Sequence, residues 1–207
     1  MGREIELSCR CGAVHGHVSN VSPSSVNRIV CYCADCQAYI HQLGRLDLLD
    51  AHGGSDIVQV APAAISFDRG QEHIRGLRLS EKGLKRFYAG CCNTPLGNTV
   101  GPAVPFVGMA AQLFAVGDAG ALDAAVGAPR GRVYGQHAVG TPPPGSTEFP
   151  LALIARLVFT MLTWAVRGKG KPNPFFDTRT RQPLYPLLTL SSAEREALRP
   201  LCGPRAA

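Results

Sequence analysis

Seven of the eight cysteines fall into three tight clusters, Cys9-Arg10-Cys11, Cys31-Tyr32-Cys33-Ala34-Asp35-Cys36 and Cys91-Cys92, with Cys202 standing apart. Thiolates are soft donors that suit zinc, and zinc takes four ligands at tetrahedral corners. A Cys-x-x-Cys turn points two sulfurs at one ion, and Cys-x-Cys does the same on an irregular stretch. Cys31, Cys33 and Cys36 combine both spacings, so three sulfurs can converge from six residues. Three protein ligands with a fourth position open is the pattern of a catalytic zinc. Cys9 and Cys11 need partners from far along the chain, and Cys91 and Cys92 are the only other clustered donors. We therefore expect two zinc ions, one structural and one of catalytic type.

The opening residues, Met1 to Leu7, lack the apolar core of a signal peptide. Glu6 stands where a myristoylation motif needs Ser or Thr. A cytoplasmic, reducing setting is expected, where metal binding outweighs disulfides. The formal net charge of +6 includes no dense basic run, so nucleic acid is not an expected partner. Apolar residues make up 45% and charged residues 17%, which fits a folded domain.

The pattern predicts many short strands. Residues 3–18 read as a hairpin around Ile5, Leu7 and Val14. Further strands are expected over 26–30, 57–60, 64–67, 73–79, 84–88, 104–114 and 133–139. Residues 43–51 read as a short helix closed by Gly53-Gly54, 91–95 as a turn, and 117–132 as a loop with a short helix. A zinc-binding β domain is expected over 1–145. A helical extension packed on it is expected over 146–207.

Residues 151–166 are apolar except for Arg156, Thr160 and Thr163, with Arg167 just beyond. These four share one narrow stripe of a helix. Sixteen residues span roughly 24 Å, short of the ~20 residues of a membrane span. No membrane insertion is expected. The helix is expected to bury itself against the β core or a twin subunit in a homodimer, with an interfacial membrane helix as the alternative. Ser191-Ser192-Ala193-Glu194 carries a capping box that opens a last short helix.

The cysteine segments resemble the glutathione-dependent formaldehyde-activating family, which includes the centromere-protein-V-like domains. Cys9-Arg10-Cys11-Gly12-Ala13-Val14 and Cys31 to Cys36 match its first two segments, and Cys92-Asn93-Thr94-Pro95-Leu96 matches the second half of its third. Ala89 stands in place of that segment's leading cysteine. The resemblance covers roughly residues 5–115. It implies a mainly β fold, a β-tent of folded-over antiparallel sheets stabilised by zinc, with helices added C-terminally. It implies a structural zinc on Cys9, Cys11 and Cys92 with Cys91 as the candidate fourth donor, provided the backbone turns sharply near Gly90; otherwise Cys91 faces the second site. It further implies a second zinc on Cys31, Cys33 and Cys36.

The activity implied is that of a zinc-dependent carbon–sulfur lyase that joins glutathione to formaldehyde as S-hydroxymethylglutathione. His41, five residues past Cys36, is the expected proton donor. Tyr39 and Gln37 flank the same turn, and Asp35 is expected to support the loop. His15, His17, His52, His73 and His137 receive no ligand role. The alternative is a non-catalytic zinc module that binds protein or nucleic acid.

Overall fold

A computed structural model describes residues 2–204. The last three residues of the expected C-terminal extension lie outside the described residues.

The chain begins with the strands β1 (Arg3–Ser8), β2 (His15–Val21) and β3 (Asn27–Cys31) and the helix α1 (Ala34–Leu43). The strands β4 (Ser55–Val60), β5 (Ile65–Arg69), β6 (Ile74–Arg78), β7 (Lys85–Ala89), β8 (Thr94–Thr99) and β9 (Val107–Ala110) follow. The remainder is α2 (Ala119–Val126), β10 (Arg132–Val133), α3 (Leu151–Val166), β11 (Leu187–Thr189) and α4 (Ser192–Leu198).

The fold is mainly β with C-terminal helices, as expected. A small sheet runs β1-β2-β5, and a large one runs β10-β3-β4-β9-β8-β7-β6-β11. Pairing is antiparallel except where β10 joins β3 and β11 joins β6. The main core draws Ile5, Leu7 and Val18 from the small sheet and Val58, Phe87, Leu96 and Met109 from the large one. Phe175 stacks on Phe87 at 4.3 Å between ring centres, which fixes the segment after α3 to the core.

Four local expectations are corrected. The first helix is α1, not 43–51: Cys33 caps its start, and Gly44 at φ 64° ends it as a left-handed cap. Residues 46–48 form only a single 3₁₀ turn. The expected 91–95 turn gives way at Thr94 to β8, although Pro95 and Gly97 are residues that usually exclude a strand. Pro95 is tolerated because the ladder to β7 shifts register there, between Phe87 and Tyr88. Gly97 lets Phe175 approach: a Cβ there would lie 2.8 Å from its ring. Of the strand expected over 133–139, only Val133 pairs, as the end of β10.

The fourth correction concerns α3, whose bounds match the expectation. Burial of its apolar side against the β core is not what is found: Arg156 and Thr160 of the polar stripe turn inward, while Arg167 is exposed. Arg156 Nε donates to Asn27 Oδ1 at 2.7 Å, and its Nη2 donates to the carbonyls of Ser24, Pro23 and Val26. Thr160 is buried beside Leu153 and Trp164. Those carbonyls lie on the turn into β3 and in the first residues around it, where backbone oxygens lack ladder partners. A long cation satisfies them better than an aliphatic side chain would. The apolar side of the helix is therefore turned outward.

Candidate metal centres

The hairpin turn between β1 and β2 carries Cys9 and Cys11. Gly12, at φ 75°, closes it, with its N–H donating to the Cys9 carbonyl at 2.9 Å. The turn between β7 and β8 carries Cys91 and Cys92. There the left-handed residue is Asn93, at φ 54°, not Gly90; asparagine tolerates that region.

The two turns meet. Sγ–Sγ distances are 3.6 Å for Cys9–Cys11, 3.4 Å for Cys11–Cys91, 4.0 Å for Cys9–Cys91 and 3.9 Å for Cys91–Cys92. A tetrahedral ion with bonds of about 2.3 Å to sulfur needs edges of about 3.8 Å. The four thiols are unbridged, and their sulfurs lie within 4.8 Å of one another. This donor set fits zinc, and Cys91 sits with the first cluster.

Burial raises the Cys9 and Cys91 thiols, and neighbouring donors work against it at Cys9 and Cys92. The Val14 N–H donates to Cys9 Sγ at 3.2 Å, and Thr94 Oγ1 lies 3.2 Å from Cys92 Sγ. Burial works to raise Cys92, but hydrogen bonds from Thr94 and Cys11 outweigh it and bring the thiol down to about 6. Buried Arg45 braces the turn by donating to Thr94 Oγ1 at 2.9 Å and to Asp47.

The second set forms where β3 runs into α1. Cys31 ends the strand, Cys33 caps the helix, and Cys36 lies in its first turn, with its N–H donating to the Cys33 carbonyl at 3.0 Å. All three sulfurs lie within 4.8 Å of one another. Hydrogen bonds from Cys31 and Cys33 hold Cys36 well below the usual thiol range, with the Arg86 charge adding to this. Hydrogen bonding to Cys33 and Cys36, with burial, pushes Cys31 far up.

A cavity of about 420 Å³ opens beside these three cysteines, walled also by Asp35, Arg86, Asn98, Tyr134 and His137. Arg86, on β7, is only 1% exposed. Its Nη1 approaches Cys36 Sγ at 4.0 Å, and its guanidinium lies 5.1 Å over the Tyr39 ring. Burial alone would lower Arg86; the charges of Cys36 and Cys33 offset this and raise it. Asn98 Oδ1 is buried without a partner among the described residues. Tyr134 holds φ 61°, a strained value for a bulky side chain, with its ring edge-on to Phe149 at 4.8 Å.

His41 is not among the residues that line this cavity. It sits in the last turn of α1, five residues past Cys36, with its carbonyl accepting from the N–H of the Gly44 cap. His137 is there instead, a residue to which the sequence alone assigned no role. Its Nδ1 lies 2.8 Å from the Pro204 carbonyl. Since a carbonyl only accepts, Nδ1 carries the hydrogen, which leaves Nε2 as the base of the neutral ring. Gln37, which does not line the cavity, bonds the His137 carbonyl at 2.8 Å and so fixes that segment. Arg86 and Tyr134 gave no sequence signal: each is a lone residue in an ordinary strand or loop.

These features define a two-sheet β protein with two cysteine clusters, each able to hold a metal ion. The chain belongs to the family of unknown function DUF6151, whose pattern matches residues 1–183. No curated protein matches it. Among solved structures it is similar to a Rhodobacter sphaeroides protein, a structural-genomics target, at 13% identity and a TM-score of 0.41. That match covers 56% of this chain and 92% of the other. No helix among the described residues is long and apolar enough to cross a membrane.

Proposed function

We propose that the protein is a zinc-dependent carbon–sulfur lyase that makes or breaks the adduct of a small thiol and a small aldehyde. The observation that carries this reading is the three-thiol set of Cys31, Cys33 and Cys36 opening onto a walled cavity with a buried cation beside it. The choice of glutathione and formaldehyde rests on the sequence resemblance of the first two cysteine segments. Zinc, when bound, would supply a Lewis-acid centre that stabilises a thiolate at neutral pH.

The chain's own residues divide the remaining work. Cys31, Cys33 and Cys36, at the edge of the cavity, would hold the ion. Arg86 offsets their negative charge. His137 takes the proton of the entering thiol at Nε2. The thiolate sulfur then bonds to the aldehyde carbon, and the carbonyl oxygen, gaining the electron pair, takes the proton back from His137. A purely structural site has no use for a cavity with a buried cation and a strained tyrosine in its wall.

The test is incubation of zinc-loaded protein with glutathione and formaldehyde, followed by NMR exchange spectroscopy. Faster interconversion of free thiol and S-hydroxymethyl adduct is expected, lost in His137→Ala and retained in His41→Ala. No acceleration by a correctly folded, two-zinc protein refutes the glutathione reaction and favours the binding-module alternative.

A further inference from the structure

The outward face of α3 has no place in that chemistry. Nine positions of the helix are exposed: Leu151, Ala152, Ile154, Ala155, Val158, Phe159, Leu162, Ala165 and Val166. At 100° per residue they fill one continuous arc of about 160°. Every member is apolar. Exposure reaches 71% at Phe159, 82% at Leu151 and 88% at Val166. A contiguous apolar face of this kind is rare on a free protein surface and marks a contact.

Charge identifies the contact. No acidic residue occurs between Glu148 and Asp177, a stretch that holds Arg156, Arg167, Lys169 and Lys171. Arg156 is turned inward, but Arg167, Lys169 and Lys171 are exposed directly beyond the helix end. Arg167 and Lys169 border a cavity of about 170 Å³ lined by Val18, Val21, Val60 and Trp164. An apolar strip edged by cations is complementary to the interface of a bilayer that carries anionic headgroups. A second copy is a poorer fit. Two helices about 24 Å long bury only a few hundred Å² per partner, below the ~800 Å² of a stable interface.

We propose that α3 docks the protein on an anionic phospholipid surface, lying in the plane of the interface without crossing it. Leu151, Phe159, Leu162 and Val166 enter the acyl boundary, and Arg167, Lys169 and Lys171 meet headgroup phosphates. This stands independently of the lyase reading.

Sedimentation of the full-length protein with vesicles tests it. Vesicles of phosphatidylcholine with about 30% phosphatidylglycerol should carry the protein down, and pure phosphatidylcholine at least about tenfold less. Salt near 0.5 M should release most of it. Phe159→Asp and the double variant Lys169→Glu/Lys171→Glu should each weaken binding at least about tenfold. Both sites are exposed, so unchanged circular dichroism and zinc content separate lost docking from lost fold. Failure of the native protein to sediment with anionic vesicles overturns the proposal, as does binding that Phe159→Asp leaves intact. A micromolar dimer that Phe159→Asp splits, without vesicle binding, assigns the face to a second copy.

Discussion

Arg86 Nη1 lies 4.0 Å from Cys36 Sγ, and among the described residues no carboxylate forms an ion pair with this buried guanidinium. The sulfurs of Cys36 and Cys33 supply its counter-charge. A zinc ion held by three thiolates carries one net negative charge, so cation and site neutralise each other. Replacing Arg86 with Met should weaken zinc retention at the second site by about 10- to 100-fold. Chelator competition measures this, and Arg86→Lys should recover part of the loss. Equal retention in all three proteins would remove the charge-balance role.

The two cysteine sets should separate on mutation. Cys36→Ser is expected to lower zinc content from about two ions to about one while the fold persists. Cys9→Ser should instead lower content and cooperative unfolding together, because its set ties two distant hairpin turns. Elemental analysis with urea denaturation reads both quantities.

Protons compete with metal for the first set. The Cys92 thiol sits at about 6, against 9.0 for an unperturbed thiol. A lowered value favours the folded state through the ionised form. Its contribution is complete above about pH 9 and is lost as pH falls through about 6. Zinc release measured with a colorimetric chelator should therefore rise between about pH 7 and pH 5. A flat profile over that interval contradicts this.

Phe175→Ala should destabilise the fold by about 3–5 kcal/mol in urea titration. The ring is fully buried and stacked on Phe87, and Gly97 leaves a flat seat that no small residue fills. A loss below about 1 kcal/mol would mean that the segment after α3 is not part of the core.

The parts of this molecule legible in its sequence are those where chemistry demands a residue type. Cys31, Cys33 and Cys36 announce their convergence because no other side chain at that spacing gathers soft donors. The bounds of α3 are legible from Pro150 and Gly168, which flank a continuous helical period. Its orientation is not, because Arg156 looks like a solvent residue until the carbonyls of Pro23, Ser24 and Val26 are placed beside it. β8 hides behind Pro95 and Gly97, whose permission comes from a register shift and an approaching ring, both tertiary facts. His137 and Arg86 stand far from the cysteine loop in sequence and reach it only through β10's attachment to β3 and through the position of β7.

The two cysteine sets are nested along the chain: Cys31 to Cys36 and Arg86 all lie between Cys11 and Cys91. The outer clasp turns that stretch into a ring pinned at its neck. Opening it frees both ends of the ring at once and slackens everything inside, whereas emptying the inner set leaves the neck closed. Loss of the inner set would therefore leave the fold closed, whereas loss of the outer set would open it.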